Sequence, residues 1–152
     1  MERVEVPSQY GVPTRFLEWD VVERRLADAH HYWLATVRPD GRPHVVPLDG
    51  VWLDGAWYFG GSSTTVRHRN LVANRRVAMH LEDAAGATIV EGECAVTKPS
   101  SETANALVAA SKAKYGYSVP VEVYLGGVWC LEPTRVLAWS NFTEDATRFA
   151  FG

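Results

Sequence analysis

The stretch 60–71 concentrates groups that bind anions. Gly60 and Gly61 lead into four hydroxyls, Ser62, Ser63, Thr64 and Thr65, followed by Arg67, Arg69 and Asn70. A hydroxyl-rich turn that opens a helix presents free N–H groups and a positive dipole end to a negative ligand. The hydroxyls add donors, and the arginines add charge-assisted contacts that can be bidentate. A phosphate would be well held here. The same residue types also describe an ordinary helix start, capped by Ser or Thr, with its arginines in solvent. Both readings are open from the residues alone.

A second candidate is Pro43-His44-Val45-Val46-Pro47-Leu48. Strand alternation places His44, Val46 and Leu48 on one face, with Val45 and Pro47 on the other. Pro47 has no N–H to donate to a ladder. That leaves a gap where a planar ring can meet backbone groups, or it marks a plain edge strand. His44 is the histidine best placed to touch a ligand, although a satisfied structural histidine explains it as well. The five histidines form no HxH or HExxH pair, so no metal site is expected. Cys94 and Cys130 lie outside any CxxC, so zinc spacing is absent, and two reduced core thiols are expected. There is no G-x-S-x-G elbow, no GxGxxG, no Walker lysine pattern and no acid/base carboxylate pair. No catalytic residue can be assigned.

The elements that would position these groups read as follows. Residues 1–15 hold two prolines and a glycine and read as an extended arm. Asp20 and Glu23 have capping-box spacing, and the apolar period predicts a helix over 19–29. Strands are predicted at 32–37, 42–48 and 52–60, with Asp40-Gly41 and Asp54-Gly55 as hairpin signals. A short helix at 65–73 follows, then strands at 77–82 and 88–97 around a loop at 83–87. A second helix starts after Ser100, carries Ala104, Leu107, Val108 and Ser111 on one face, and stops at Gly116. Residues 117–127 read as a loop able to cover a site. Strands at 128–131 and 134–140, interrupted by Pro133, and a short one at 147–151 complete the chain.

The 152 residues suggest one domain, 1–152, large enough to bury a core. A net charge of -3 argues against a nucleic-acid binder held by electrostatics. No signal-peptide pattern and no bilayer-length apolar run is seen, so a cytoplasmic protein without membrane contact is expected. About six antiparallel strands joined by tight turns favour barrel closure, which removes exposed edges.

The order of pieces carries a resemblance. Leu34 to Val37, Asp40 to Pro43, Val45 to Leu48, Trp57 to Phe59, Ser62 to Thr64, Arg69 to Leu71 and Asn74 to Val77 follow one another. This order resembles the pyridoxamine 5'-phosphate oxidase-like split-barrel family that binds FMN or the deazaflavin F420. The tail, from Pro133 to Trp139 and Ala146 to Phe149, extends it loosely. The resemblance implies a mainly β fold with flanking helices, a six-stranded antiparallel split β-barrel. It implies a homodimer with the cofactor at the subunit interface. It places His44, Val46 and Pro47 beside the ring, and Ser62, Ser63, Thr64, Arg67, Arg69 and Asn70 around the phosphate.

The elbow has no lysine, and the arginine-rich tail motif of the vitamin B6 oxidases is not evident. The chain is therefore more similar to the small deazaflavin-dependent reductases, which pass a hydride to an unsaturated small molecule. Arg75 and Arg76 would then meet the anionic cofactor tail, or else form a solvated helix end. Alternatives are an FMN-dependent oxidase or flavin reductase, and a non-catalytic cofactor-binding protein. A haem binder would need His44 or His80 as axial ligand. The lack of an acid/base constellation suits a protein whose bound ring carries the hydride chemistry.

Overall fold

Nine strands and four α-helices make up the computed structural model, which describes residues 2–152. The strands are β1 (Glu2–Arg3), β2 (Tyr32–Val37), β3 (Pro43–Leu48), β4 (Val51–Leu53), β5 (Ala56–Phe59), β6 (Arg76–His80), β7 (Thr88–Thr97), β8 (Val128–Ala138) and β9 (Thr147–Ala150). The helices are α1 (Trp19–Asp28), α2 (Val66–Ala73), α3 (Ser101–Tyr115) and α4 (Val121–Gly126).

All strand pairs are antiparallel, in the order β1-β9-β8-β7-β6-β2-β3, with β5 also on β8 and β4 on β5. The long β8 makes this branch possible. Its first half pairs with β5 (Tyr58 opposite Cys130) and its second half with β9 (Val136 opposite Phe149). The sheet path therefore runs from β3 to β4 through β2, β6, β7, β8 and β5. Yet β3 and β4 are separated in the chain only by Asp49 and Gly50. The two ends of the sheet meet there without a ladder between them, which is the split of a split barrel.

Alternation fills the interior. On β2, Tyr32, Leu34 and Thr36 are buried while Trp33, Ala35 and Val37 are half-buried. Tyr32, Leu34, Trp57, Met79, Val90 and Leu131 are fully enclosed and share one core with Val22 and Leu26 of α1. Both free cysteines are buried, Cys94 on β7 and Cys130 on β8. Cys94 is opposite Leu131 and Ala95 is opposite Cys130, so strand alternation sends the two thiols to opposite faces.

Several expectations are refined. The six-stranded barrel gains strands because 52–60 is a hairpin of two, β4 and β5, and because β1 and β9 form an extra pair. The N-terminal arm is thus part of the sheet near its start, and Ser8–Tyr10 forms a 3-10 turn. Helix α1 begins one residue before Asp20, with Glu18 at the cap position and no side-chain cap bond. Trp19 is drawn into the first turn by Phe149 and Phe151, whose ring centroids lie 5.1 and 5.0 Å away.

Pro133 does not interrupt β8. It lies opposite Gly92 where the β7–β8 register shifts, and a Cβ at Gly92 would overlap the Glu132 carbonyl oxygen. The glycine and the bulge together let the strand run through its proline. Residues 117–127 are not all loop, because α4 starts after Pro120, a residue suited to the edge of a helix.

Candidate functional site

A cavity of 620 Å³ lies beside the split of the barrel. Its floor is the β3–β4 corner, Pro47 to Val51. One wall is the end of β5 with Phe59, Gly60 and Gly61, joined by Arg67 of α2. The opposite cover is α3 and α4, through Leu107, Ser111, Val123 and Tyr124, with Tyr115 and Tyr117 at the turn between them.

Arg67 and Asp49 bring opposite charges to the cavity lining. Thr65 caps α2, its hydroxyl accepting from the His68 N–H at 3.2 Å, and this fixes where the helix starts. Arg67 then points back toward the elbow. Its Nη2 donates to the Gly60 carbonyl at 3.0 Å, and its Cζ lies 5.9 Å from the Phe59 ring centroid. The residue is only 8% exposed, and Nη1 has no hydrogen-bond partner among the described residues. Burial lowers its pKa, but a guanidinium starts so high that it stays cationic. A buried, charged and incompletely paired donor at a cavity wall is costly unless an acceptor completes it. Gly61 allows this placement: its φ is +133°, and a Cβ there would overlap the guanidinium.

The corner is clamped by the end of α3. The Tyr115 hydroxyl accepts from the Gly50 N–H at 3.0 Å and donates to the His30 carbonyl at 2.7 Å. Lys114 Nζ donates to Tyr32 Oη at 2.8 Å and to the Gly50 carbonyl at 3.3 Å. Tyr32 Oη in turn donates to the Leu26 carbonyl at 2.6 Å. Burial lowers the Lys114 pKa to about 8 and raises that of the Tyr32 phenol. Tyr58, on the cavity wall, is pushed up to about 12 by burial and by the neighbouring Cys130 thiol.

The residues singled out in the sequence are spread over three environments. Pro47 and Arg67 line the cavity. Pro47 also lies on the outer strand of the sheet, paired on one side only, where a missing N–H costs no ladder bond. His44 and Val46 share the half-buried face of β3 but are not on the cavity wall. His44 is opposite Thr36, and its Nδ1 is enclosed without a hydrogen-bond partner among the described residues. Burial and the Arg38 charge lower its pKa.

Ser62, Ser63 and Thr64 form an exposed turn off the wall, with the Ser62 and Thr64 hydroxyls 2.8 Å apart. Arg69 is exposed and donates to the Thr64 carbonyl at 2.9 Å. Asn70 faces inward: it is 2% exposed, and its Nδ2 donates to Thr36 Oγ1 at 2.9 Å, tying α2 to β2.

Arg75 pairs with Glu93 at 3.7 Å, and Arg76 lies opposite the same glutamate across β6 and β7, in a shallower groove with Glu91. His80 stacks on Trp33 at 6.3 Å and engages the Leu81 carbonyl through Nδ1 at 2.8 Å. No group of three or more His, Cys, Asp or Glu able to hold a metal occurs among the described residues. No helix among them is long and apolar enough to cross a membrane.

Tyr58, Tyr115 and Ser111 are wall residues that the sequence did not single out, whereas Tyr124 lies within 117–127, the segment expected to cover a site. Ser111 had a signal, a polar group on the buried face of α3. Tyr115 had none, because its partners Gly50 and His30 are distant in the chain.

The sequence matches the family described as pyridoxamine 5'-phosphate oxidase over residues 19–140. It matches no curated protein. Similar solved structures include an F420 reductase, 24% identical, with a TM-score of 0.57 and coverage of 86% of this chain and 98% of that one. A conserved hypothetical protein from Mycobacterium tuberculosis is 18% identical, with a TM-score of 0.67 and coverage of 82% and 86%. A heme binding protein from Mycobacterium smegmatis is 19% identical, with a TM-score of 0.62, covering 97% of this chain and 60% of that one. These structural likenesses are likenesses of fold. The curled antiparallel sheet, its split at Asp49-Gly50 and the match across most of the chain agree, and the protein belongs to the pyridoxamine 5'-phosphate oxidase family.

Proposed function

We propose that this protein is an oxidoreductase that holds F420 and reduces an unsaturated small molecule. The observation that carries the reading is the Arg67 guanidinium, buried at the wall of an aromatic-lined cavity with Nη1 unpaired. The donor set fits a flavin-type cofactor bearing a phosphate. Arg67 would bind the anionic group, with Gly60 and Gly61 leaving room for it. Pro47, on the outer strand, would offer its apolar ring to a planar system, and Phe59 and Tyr58 would help exclude water. Ser62, Ser63 and Thr64, on the neighbouring exposed turn, and Arg69, on α2, would meet the outer part of a long anionic cofactor, with His44 and Val46 supporting the strand behind. When bound, such a cofactor supplies the hydride, so the chain needs only to bind, orient and desolvate.

F420 is preferred to FMN because the elbow carries arginines and no lysine. A homodimer with the cofactor at the subunit seam belongs to the same proposal, and sedimentation of the purified protein tests the dimer.

Fluorescence-quench titration of the apo protein with F420, and in parallel with FMN, tests the assignment. Tight F420 binding with weak FMN binding supports it, and the reverse moves the protein to FMN chemistry. Binding without turnover against any acceptor leaves a carrier, and a Soret band on haem addition would favour a haem protein. Arg67→Ala should weaken cofactor binding about tenfold to a hundredfold, the value of a hydrogen bond to a charged group. Unchanged affinity in a folded variant would overturn the role of Arg67.

A further inference from the structure

A second polar feature of the cavity is independent of Arg67. Ser111 of α3 and Tyr124 of α4 both line it, and their hydroxyl oxygens are 3.0 Å apart. Ser111 is 7% exposed. Each hydroxyl carries one hydrogen, and their mutual bond uses only one of the two. Neither side chain makes another hydrogen bond among the described residues, and the side chains of Leu107, Val123 and Val128, which also line the cavity, are apolar. One O–H donor is therefore left over at the cavity wall. Whichever hydroxyl donates within the pair, the hydrogen of the other has no partner among the described residues.

We propose that the Ser111–Tyr124 pair is the recognition point for the acceptor oxygen of a small, largely apolar ligand, such as a ketone or other conjugated carbonyl compound. Desolvation strengthens this single donor and leaves it uncompensated when an oxygen-free analogue binds. The pair thus selects for carbonyl compounds against hydrocarbons of the same shape. The proposal rests on the reductase reading only in naming that ligand the substrate.

Acetophenone and ethylbenzene, which differ by the carbonyl oxygen, are suitable probes for the apo protein, with dissociation constants from ligand-observed NMR. Wild type should prefer acetophenone about threefold to tenfold. Because either hydroxyl can serve as the outward donor, Ser111→Ala and Tyr124→Phe should each keep most of the preference. The double variant should lose it. A merely structural role predicts the opposite, damage already in each single variant and no selective loss in the double.

Equal affinity for both probes in wild type, or binding of neither, would overturn the proposal without recourse to any variant. An undiminished preference in a folded double variant would do the same. F420 titration of the same double variant keeps the two proposals apart. Retained F420 affinity with lost carbonyl preference supports the recognition pair. Carbonyl preference in a wild-type protein that binds no F420 would leave the pair standing and the reductase reading overturned.

Discussion

Lys114 is a cation whose charge is penalised by burial. Its ammonium is half-buried over the Tyr32 and Tyr115 rings, at 5.1 and 5.8 Å, and its pKa falls from 10.5 to about 8 because burial penalises the charge. The unfolded chain holds this proton more tightly than the folded one. Between pH 8 and 10.5 the unfolded state therefore binds more protons, and the contribution of Lys114 to stability rises with pH through that window.

The buried thiols run the other way. Raised to about 12 for Cys94 and about 11 for Cys130, they lose stability as pH climbs above their ordinary 9.0. Comparing wild type with Lys114→Met removes the thiol contribution, which both proteins share. The difference in urea midpoint should move in favour of wild type from pH 7 to pH 10. A difference that stays flat over that range would mean that the amine titrates normally.

At the level of elements, α3 carries much of what matters. It supplies Leu107 and Ser111 to the cavity, and Lys114 and Tyr115 to the corner of the barrel. Its ends are set by Ser100, whose hydroxyl accepts from the Thr103 N–H at 3.1 Å, and by Gly116 at φ +79°. Both boundaries were legible in the sequence, because capping chemistry is local. Gly116→Ala forces a side chain into the left-handed region and should cost about 1 kcal/mol. It should also loosen the Tyr115 clamp, read as faster amide exchange at Gly50, whose N–H donates to that hydroxyl. Normal protection at Gly50 in the variant would show that the clamp does not depend on how α3 ends. Helix α4 was less legible: six residues with a glycine at the end carry little periodicity, and its placement depends on α3 and β8.

For the whole molecule, the decisive place is Gly50, where the two ends of the curled sheet meet. A Cβ there would overlap the Trp57 indole and crowd the Tyr58 carbonyl. Trp57 is fully buried between Tyr32 and Phe59, with ring centroids 5.0 and 4.4 Å away, so it has little room to retreat. Gly50→Ala should therefore destabilise the protein by roughly 3 kcal/mol. It should also distort the cavity floor, weakening ligand binding in whatever fraction remains folded. Thermal unfolding within a degree of wild type would show that the corner relaxes instead.

Periodicity, caps and hairpin glycines are properties of neighbouring residues. The sequence by itself therefore determined β2, β3 and β7, the helices α1 to α3, and the antiparallel β class. The ordered run from Leu34 to Val77 was enough to indicate the family. The cavity was decided only by the tertiary structure, because it joins residues 47–51, 58–61 and 107–128, which approach one another only when the sheet curls. That curl also divided the arginines of the basic stretch. Arg67 turned inward beside Gly61, Arg69 stayed in solvent, and Arg75 found Glu93 on a neighbouring strand. Their types were visible in the sequence, but their environments depend on what the fold brings against them from distant segments.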